Sequence, residues 1–343
     1  MINVTKHGVI LKKTKLGFEN GGVLNPGVIS HDGLGHMLYR AVRKGNFSSI
    51  GYATLSATNK IKERLPYPII LPEHDYEKHG VEDPRIVKID EVFFITYTAY
   101  DGTNANGALA TSMDLKTFTK HGIITPQFSY KDFEFHIACS KGLSEKYLRF
   151  YKLFKERIGP DTLEKFTVWD KDVIFFPRKI NGKFAFLHRL YPSIQIVYFD
   201  KLEDLTKDFW REYLFNLNDH IILDTKHPFE ASYLGGGCPP IETPQGWLII
   251  YHGVEDTHTG YVYHAAAALM DLNDPTKEIG RLSEPLFSPE YDWEREGYVN
   301  NVVFPTGTIL SGDDLNIYYG AADTSIAVVT VKLSELLNEL KSK

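Results

Sequence analysis

The segment His79–Arg85 places four ionisable side chains within seven residues. Pro84 disfavours a helical conformation at Asp83 and leads into the apolar stretch Val92–Tyr97, which is typical of a β-strand. A carboxylate at the start of a strand can face a ligand, so Asp83 is a candidate proton donor. A single motif of this kind could equally be a charged surface turn whose side chains pair with one another.

The same kind of strand start recurs five times along the chain, at intervals of about 60 to 90 residues. Each start is followed by an apolar strand, a turn containing Gly or Asn, and an aromatic-rich second strand. Such units predict an all-β fold, a five-bladed β-propeller, in which the first strand of each blade lines the central axis. The residues at the strand starts are then expected to surround one funnel. They are Asn25, Asp83, Lys171, Gly237 and Asn301.

The elements that position this funnel are expected to form a single catalytic domain, residues 1–343. Residues 143–158 follow a helical rather than a strand alternation and indicate a short helical insertion. It could lie over the funnel rim, in a subunit contact, or on the surface with no further role. Residues 333–341 carry leucines at helical spacing and predict a C-terminal helix against an outer blade or a neighbouring subunit.

Composition excludes several classes of partner. The formal net charge is −6 and no long Lys/Arg run occurs, which argues against nucleic acid or an anionic membrane. The two cysteines, Cys139 and Cys238, indicate neither a disulfide framework nor a zinc site. The first residues do not resemble a signal peptide and no long apolar run occurs, so we expect a cytoplasmic protein.

Carboxylates, aromatic rings and cations in one funnel suggest the cleavage of a glycosidic bond. A carboxylic acid protonates the glycosidic oxygen while a nucleophile attacks the opposite face of the sugar. In a hydrolase the nucleophile is water, activated by a second carboxylate. In a phosphorolytic enzyme it is inorganic phosphate, which requires a cationic cradle instead. Several cations near the inner strands of an acidic protein favour phosphate as co-substrate. The sequence shows no metal-ligand spacing and no cofactor motif that stands out. The carboxylates are Glu82, Asp83, Asp172, Glu242 and Asp323, and the basic side chains are Arg40, Arg43, Arg85, Lys171, Arg189 and His252.

Ordered motifs cover nearly the whole chain. They are Asn25-Pro26-Gly27, Tyr39-Arg40, Gly80–Arg85, Lys179–Lys183, His188-Arg189, Pro239–Thr243, Tyr251-His252-Gly253, Asn301–Pro305 and Tyr319–Asp323. In this order the motifs resemble glycoside hydrolase family 130, the mannoside phosphorylases and related β-mannosidases.

This resemblance implies a five-bladed propeller and, for the phosphorylases, inverting phosphorolysis of β-mannosides to α-mannose 1-phosphate and a free acceptor sugar. By resemblance, Asp83 is the general acid and passes its proton through the 3-hydroxyl of the mannose. Asn25, Arg40 and Asp323 match mannose-binding positions. The positions that match a phosphate cradle are Lys171, Arg189, His252 and Tyr263.

Some of these residues have structural alternatives. Arg189 and His252 could be buried partners of nearby carboxylates, and Tyr263 could be an ordinary strand aromatic. Lys171 stands where some family members carry arginine, and lysine cannot make a bidentate fork. The charged neighbours of Asp83 in its own strand are expected to be structural.

Three functions remain open at this point. The first is a glycosyltransferase-type mannoside phosphorylase acting on β-1,4- or β-1,2-linked manno-oligosaccharides, mannosyl-glucose or mannosyl-GlcNAc. The second is an inverting β-mannosidase of the same fold, and the third is a non-catalytic sugar-binding propeller, which would not need a carboxylate at Asp83. By analogy with the family we also expect a homo-oligomer.

Overall fold

The computed structural model describes residues 2–56, 59–158 and 166–342, which form mainly β-strands with a few helices. The strands are β1 (Val4–Lys12), β2 (Gly22–His31), β3 (Leu34–Arg43), β4 (Phe47–Leu55), β5 (Ile61–Arg64), β6 (Gly80–Ile89), β7 (Val92–Tyr100), β8 (Ala105–Ser112), β9 (Thr119–Ile123), β10 (Lys171–Phe175), β11 (Phe184–Arg189), β12 (Ile194–Phe199), β13 (Ile221–Leu223), β14 (Tyr233–Gly236), β15 (Ile241–Thr243), β16 (Gly246–Thr257), β17 (Gly260–Met270), β18 (Glu278–Arg281), β19 (Val303–Ser311), β20 (Asp314–Ala321) and β21 (Ser325–Lys332). The α-helices are α1 (Tyr130–Ala138), α2 (Glu145–Ile158), α3 (Lys207–Phe215), α4 (Asp292–Arg295) and α5 (Leu333–Lys341).

The strands pair in antiparallel groups that follow the chain. One group is β10 to β13, and a second is β14, β16, β17 and β18 with β15 beside β16. Two more, β2 to β5 and β6 to β9, share one parallel bridge between Ser48 and Gly80. The last group joins β19, β20 and β21 to β1, so strands from the two ends of the chain lie in one sheet.

The first strands of successive groups approach closely at glycines. A Cβ at Gly27 of β2 would lie 2.8 Å from the carbonyl oxygen of Pro84 in β6. A Cβ at Gly307 of β19 would lie 2.7 Å from the backbone nitrogen of Val28 in β2. The first strands can therefore pack this closely only because Gly27 and Gly307 have no side chain.

Replacing Gly27 with alanine is expected to destabilise the protein by about 1–3 kcal/mol, because the added methyl group meets a backbone that cannot move aside freely. Thermal unfolding measures the loss as a lower Tm. Gly17→Ala is the matched control, because a Cβ there meets nothing within 4 Å. Equal Tm values for the two variants would show that β2 and β6 are not packed as closely as described.

Helices α1 and α2 are inserted between β9 and β10 and pack on the β10–β13 group. Phe133 of α1 and Tyr151 of α2 have ring centroids 4.7 Å apart. They share one apolar cluster with Phe186 of β11 and Trp210 of α3. Helix α2 covers residues that the sequence pattern predicts to be helical, whereas α1 and α3 were not predicted.

Helix α5 covers the segment predicted as a C-terminal helix. Its buried face consists of Leu336, Leu337 and Leu340, which pack with strands of the β14–β18 and β19–β21 groups. A Cβ at Gly280 of β18 would overlap the carbonyl oxygen of Leu340, so helix and strand are in direct contact. Among the described residues, no helix combines the length and apolarity that crossing a membrane requires.

Candidate active site

Three of the first strands carry a β-bulge that turns a polar side chain out of the regular ladder. The registers of β2, β6 and β10 shift at Asn25, Asp83 and Asp172. These residues have positive φ angles of 49°, 50° and 55°, a conformation that Asn and Asp adopt more readily than most residues. Bulges often re-aim side chains beside active sites, and here all three side chains line one pocket.

This central pocket has a volume of about 190 Å³. Seven of the eight side chains that the sequence analysis assigned to catalysis, mannose or phosphate line it. They come from different strand groups. Of the five strand-start residues expected around the funnel, Asn25, Asp83 and Lys171 line the pocket, whereas Gly237 and Asn301 are not among its lining residues. The lining residues are Asn25, Arg40, Asp83, Lys171, Asp172, Arg189, Tyr191, Tyr233, Tyr263, Val299, Val302, Phe304 and Asp323.

Asp83 is held as an anion at one end of the central pocket. Asn25 Nδ2 donates to Asp83 Oδ1 at 2.8 Å, and Arg40 Nη1 lies 3.4 Å from the same oxygen. Burial raises the pKa of Asp83, but Arg40, Arg85, Asn25 and Lys171 outweigh that effect and leave its pKa below the ordinary value. In the free protein this carboxyl group is therefore ionised near neutral pH.

Arg40 is fixed by groups that do not themselves line the pocket. Its Nη2 donates to Glu82 Oε1 at 2.6 Å and its Nε to Ser48 Oγ at 2.9 Å. A guanidinium held on two edges keeps one orientation, so Arg40 presents a fixed cation beside Asp83. Glu82 is thus structural, as the sequence analysis expected.

Asp323, on the same side of the central pocket as Arg40, is electrostatically different from Asp83. Burial raises the pKa of Asp323 to about 6, although Arg40 opposes the rise, while Asp83 and Glu82 reinforce it. Asp323 therefore changes its charge within the physiological range while Asp83 stays ionised.

Mannoside binding in the absence of phosphate is expected to tighten as the pH rises through about 6. Above that pH, ionised Asp323 accepts charge-assisted hydrogen bonds from sugar hydroxyls, which are stronger than those of the neutral acid. Calorimetric titration with a β-mannobiose from pH 5 to pH 8 measures the change, which we expect to be on the order of tenfold.

Asp323→Asn should remove this pH dependence, because the side chain no longer titrates. Asp32→Asn is the matched control: Asp32 also has a positive φ, of 47°, but its side chain is exposed. A pH dependence that survives in Asp323→Asn would assign the titration to another group.

The other end of the central pocket is cationic and aromatic. Arg189 Nη1 lies 2.8 Å from Asp172 Oδ2, and its guanidinium lies over the rings of Tyr191 at 4.5 Å and Tyr233 at 5.3 Å. Among the described residues, the buried Arg189 Nε has no hydrogen-bond partner. A buried cation with an unused donor can take an oxygen of an anion. Tyr263 completes this end, with its hydroxyl 2.6 Å from that of Tyr233.

His252 lies behind Arg189 rather than among the lining side chains. It is fully buried, and its Nε2 is 3.3 Å from Arg189 Nη1 and 4.0 Å from Asp172 Oδ2. Burial lowers the pKa of His252 well below its ordinary value, and the guanidinium groups of Arg189 and Arg85 lower it further. A neutral imidazole here supports Arg189. The proximity of His252 to Asp172 agrees with the alternative drawn from sequence, in which His252 is a buried partner of a nearby carboxylate. Direct contact of His252 with phosphate stays a prediction.

Arg85 ties two strand groups together beneath the central pocket. Its Nε donates to the carbonyl oxygen of Gly237 at 2.5 Å, and its Nη1 donates to that of Asp83 at 2.9 Å. It therefore fixes the backbone that carries the candidate acid. Among the residues that the structure describes, no group of three or more His, Cys, Asp or Glu side chains could hold a metal ion.

Six lining residues were given no role in catalysis or binding from the sequence: the polar Asp172, Tyr191 and Tyr233 and the apolar Val299, Val302 and Phe304. Asp172 had a usable signal, because it directly follows the strand start at Lys171 and already stands among the candidate carboxylates of the funnel. Tyr191 and Tyr233 had none, because nothing in the spacing of two separate aromatics shows that both stack on Arg189.

Comparison with known proteins agrees with this geometry. Residues 14–342 match glycoside hydrolase family 130, described as beta-1,4-mannooligosaccharide phosphorylase. A 1,2-beta-oligomannan phosphorylase of Thermoanaerobacter sp. (strain X514) is 33% identical over 340 residues, covering 96% of each chain. A beta-1,2-mannobiose phosphorylase of the same organism is 34% identical, covering 92% of this chain and 91% of that one. The solved structure of beta-1,2-mannobiose phosphorylase from Listeria innocua, in complex with beta-1,2-mannobiose, superposes with a TM-score of 0.73 at 25% identity, covering 99% of this chain and 100% of that one. The chain therefore belongs to glycoside hydrolase family 130.

Proposed function

We propose that this protein cleaves β-mannosides by phosphorolysis with inversion, releasing α-mannose 1-phosphate and a free acceptor sugar. It would thus be a glycosyltransferase-type glycoside phosphorylase. The observation that carries this proposal is the polarity of the central pocket: a carboxylate, Asp83, lies at one end, and a buried arginine with an unused donor, Arg189, lies at the other.

The terminal mannose would occupy the space between these two ends. Asn25, Arg40 and Asp323 bind its hydroxyls, and phosphate lies against Arg189, Lys171 and Tyr263. A phosphate oxygen forms a bond to C1 as the bond from C1 to the glycosidic oxygen breaks. The proton from Asp83 moves through the 3-hydroxyl to the departing oxygen, so the acceptor leaves neutral.

Phosphate would also prepare Asp83 for its role as an acid. Besides Arg40 and Arg85, Lys171 keeps the pKa of Asp83 low, and phosphate bound against Lys171 offsets its charge. The pKa of Asp83 should then rise, so that this carboxyl group holds a proton mainly when the nucleophile is present. Carbon NMR of labelled carboxyl groups measures this: we expect the titration of Asp83 to move to higher pH on adding phosphate. An unchanged titration would refute this coupling.

The structure does not favour the hydrolytic alternative. A hydrolase would need a second carboxylate free to activate water opposite the acid. Asp172 is placed at the appropriate end but is paired with Arg189 at 2.8 Å. Burial raises the pKa of Asp172, although Arg189 and Arg85 oppose the rise. Because its Oδ2 faces the guanidinium of Arg189 rather than open space, Asp172 is placed to position that arginine and not to activate a water.

The proposal is tested by incubating the purified protein with β-1,2- and β-1,4-linked mannosides, with and without inorganic phosphate. Mannose 1-phosphate and free mannose are measured separately. We expect mannose 1-phosphate only in the presence of phosphate, first with β-1,2 linkages, because two relatives at 33% and 34% identity are named for them. Free mannose formed at a rate independent of phosphate would support the hydrolase, and binding without turnover would support a sugar-binding protein.

We further propose that the strand groups are the blades of a five-bladed propeller in a single domain. Neighbouring first strands touch around a closed circuit. Besides the contacts at Gly27 and Gly307, a Cβ at Gly236 would lie 2.6 Å from the side chain of Ile174, and one at Gly237 would lie 3.0 Å from the carbonyl oxygen of Pro305. Thr96 of β7 also donates to the carbonyl oxygen of Val173 in β10. This circuit supports a central axis at the pocket.

The cellular setting and assembly are also proposals. A sugar phosphate is charged and does not cross membranes, which supports a cytoplasmic site of action. A homo-oligomer is supported by apolar side chains exposed on the inserted helices α1 and α2: Phe135 of α1 is 62% and Leu153 of α2 is 55% exposed. Sedimentation measures the assembly state directly, and a monomer would refute the second proposal.

A further inference from the structure

Helix α2 carries four aromatic side chains on one face. Tyr147, Phe150, Tyr151 and Phe154 are spaced three and four residues apart, so they lie on the same side of the helix. Tyr147 and Tyr151 are buried in the apolar cluster between the inserted helices and the β10–β13 group. Phe150 and Phe154 are half-buried at the edge of that cluster. Each of these two rings contacts an aromatic residue that lies beside a cation of the central pocket.

Phe150 is linked to Arg189 by one intervening ring. It stacks on Tyr191, with ring centroids 5.0 Å apart and planes inclined by 14°. The guanidinium of Arg189 lies 4.5 Å over the ring of Tyr191. Tyr233 meets Tyr191 edge to face, with centroids 4.9 Å apart. The orientation of Tyr191 therefore depends on Phe150 as well as on the side chains of the pocket.

Phe154 is linked to Lys171 in the same way. Its ring centroid lies 6.0 Å from that of Trp169, and Lys171 Nζ lies 5.2 Å from the centroid of the Trp169 ring. Trp169 Nε1 donates to the carbonyl oxygen of Thr103 at 3.0 Å. An ammonium group over the face of a tryptophan is attracted to it. Lys171 therefore lies over a ring that α2 helps to hold.

Helix α2 is itself fixed to the rest of the domain. Lys146 Nζ pairs with the carboxylate of Asp224 and donates to Thr225 Oγ1 at 3.2 Å, directly after β13. Phe154 also stacks on Tyr130 of α1, with centroids 5.3 Å apart. A side chain in a binding site keeps its geometry when the groups packed behind it are themselves held in place. Helix α2 is thus suited to hold the rings behind both cations.

From these contacts, and resting on the proposed function, we propose that helix α2 positions the phosphate-binding cations. Phe150 orients Arg189 through Tyr191, and Phe154 orients Lys171 through Trp169. Both are positioning residues, since neither is among the residues that line the central pocket. Long cationic side chains lose conformational freedom when they bind an anion, and orienting them in advance reduces this cost. The helical insertion thereby raises the affinity for phosphate and leaves that for the mannoside unchanged.

Phe150→Leu tests this proposal, because it keeps an apolar side chain and removes the flat ring. The KM for phosphate is expected to rise about three- to tenfold, which corresponds to the loss of one aromatic contact. The KM for the mannoside should stay unchanged. Phe154→Leu should act in the same direction. Initial rates give both KM values, and calorimetric titration with inorganic phosphate measures binding without turnover.

Phe184→Leu is the matched control. Phe184 is also half-buried against the same apolar cluster, and it too lies beside a cation, with Lys179 Nζ 4.4 Å from its ring centroid. Its aromatic neighbours include Phe94 and Phe199, neither of which is among the residues that line the central pocket. This variant should keep both KM values of the unaltered protein.

A double-mutant cycle tests whether Phe150 acts through Tyr191. Tyr191→Leu removes the intervening ring, so adding Phe150→Leu to it should weaken phosphate binding no further. Additive effects of the two substitutions would show that Phe150 acts by another route, which would overturn the proposal. Thermal unfolding verifies that each variant is folded.

The remaining outcomes separate this inference from the proposed function. A rise in the KM for the mannoside instead of phosphate would overturn the inference and place the aromatic face of α2 against the sugar. Phosphate affinity that is unchanged in Phe150→Leu and Phe154→Leu would refute the inference alone. If the unaltered protein binds phosphate but forms no mannose 1-phosphate, the proposed function fails and the calorimetric comparison still decides the inference. If it binds no phosphate, both fail.

Discussion

Asp83→Asn is expected to lower kcat for phosphorolysis by about 100- to 10,000-fold, the usual contribution of a general acid. The amide cannot supply a proton to the departing oxygen. It keeps the shape of the side chain, and asparagine tolerates the positive φ of 50° at this position as well as aspartate does. Binding of the mannoside should therefore change much less than turnover, which steady-state kinetics and calorimetry measure separately.

Asp90→Asn is the matched control for this variant. Asp90 also has a positive φ, of 53°, but it lies exposed in the turn between β6 and β7. It should retain full activity. If Asp83→Asn kept more than a tenth of the activity of the unaltered protein, Asp83 could not be the acid, and Asp323 would become the candidate.

Arg189→Lys is expected to raise the KM for phosphate by about 10- to 100-fold, which corresponds to the loss of one or two hydrogen bonds to a charged group. Lysine keeps a positive charge opposite Asp172, so the variant should fold without leaving a buried carboxylate unpaired. It loses the planar fork and the Nε donor that the structure leaves unused. Initial rates at varied phosphate and fixed mannoside measure the effect.

Arg178→Lys is the matched control, because it also replaces a planar guanidinium by an ammonium group, but at the surface rather than in the pocket. Arg178 makes bidentate hydrogen bonds to Glu242 at 2.8 Å and 2.6 Å on the surface, and its replacement should leave both KM values unchanged. A rise in the KM for the mannoside but not for phosphate in Arg189→Lys would contradict the assignment. Phosphate would then have to bind away from Arg189.

The predictability of the fold from sequence depended on the local pattern. The strand units and the leucines of α5 carry clear periodicities, and both are present in the structure. Helix α1 was not predicted because Phe133, Phe135 and Ile137 alternate with polar residues, as in a strand. Tertiary packing resolves the pattern: Phe133 and Ile137 are buried while Phe135 is 62% exposed. Ser129 caps α1, because its Oγ accepts a hydrogen bond from the backbone nitrogen of Asp132 at 3.1 Å. A serine at this position is a local signal for a helix start.

The candidate site could be predicted where a residue type and a backbone position coincide. Asn25 and Asp83 each precede a proline at the start of a repeated strand, which is visible in the sequence. The position of His252 could not be predicted, because its distance from the pocket depends on how Arg189 and Asp172 pair in front of it. Sequence patterns indicate which groups gather at a site, whereas packing decides which of them reach the ligand.

The central claim is that phosphate itself attacks the anomeric carbon in the pocket between Asp83 and Arg189. The most direct measurement uses phosphate labelled with heavy oxygen and a β-mannobiose, with the sugar phosphate analysed by mass spectrometry and NMR. We expect α-mannose 1-phosphate that retains every labelled oxygen, including the one bonded to C1. Free mannose with unconsumed labelled phosphate, or a sugar phosphate lacking the label at the bridging oxygen, would contradict the claim.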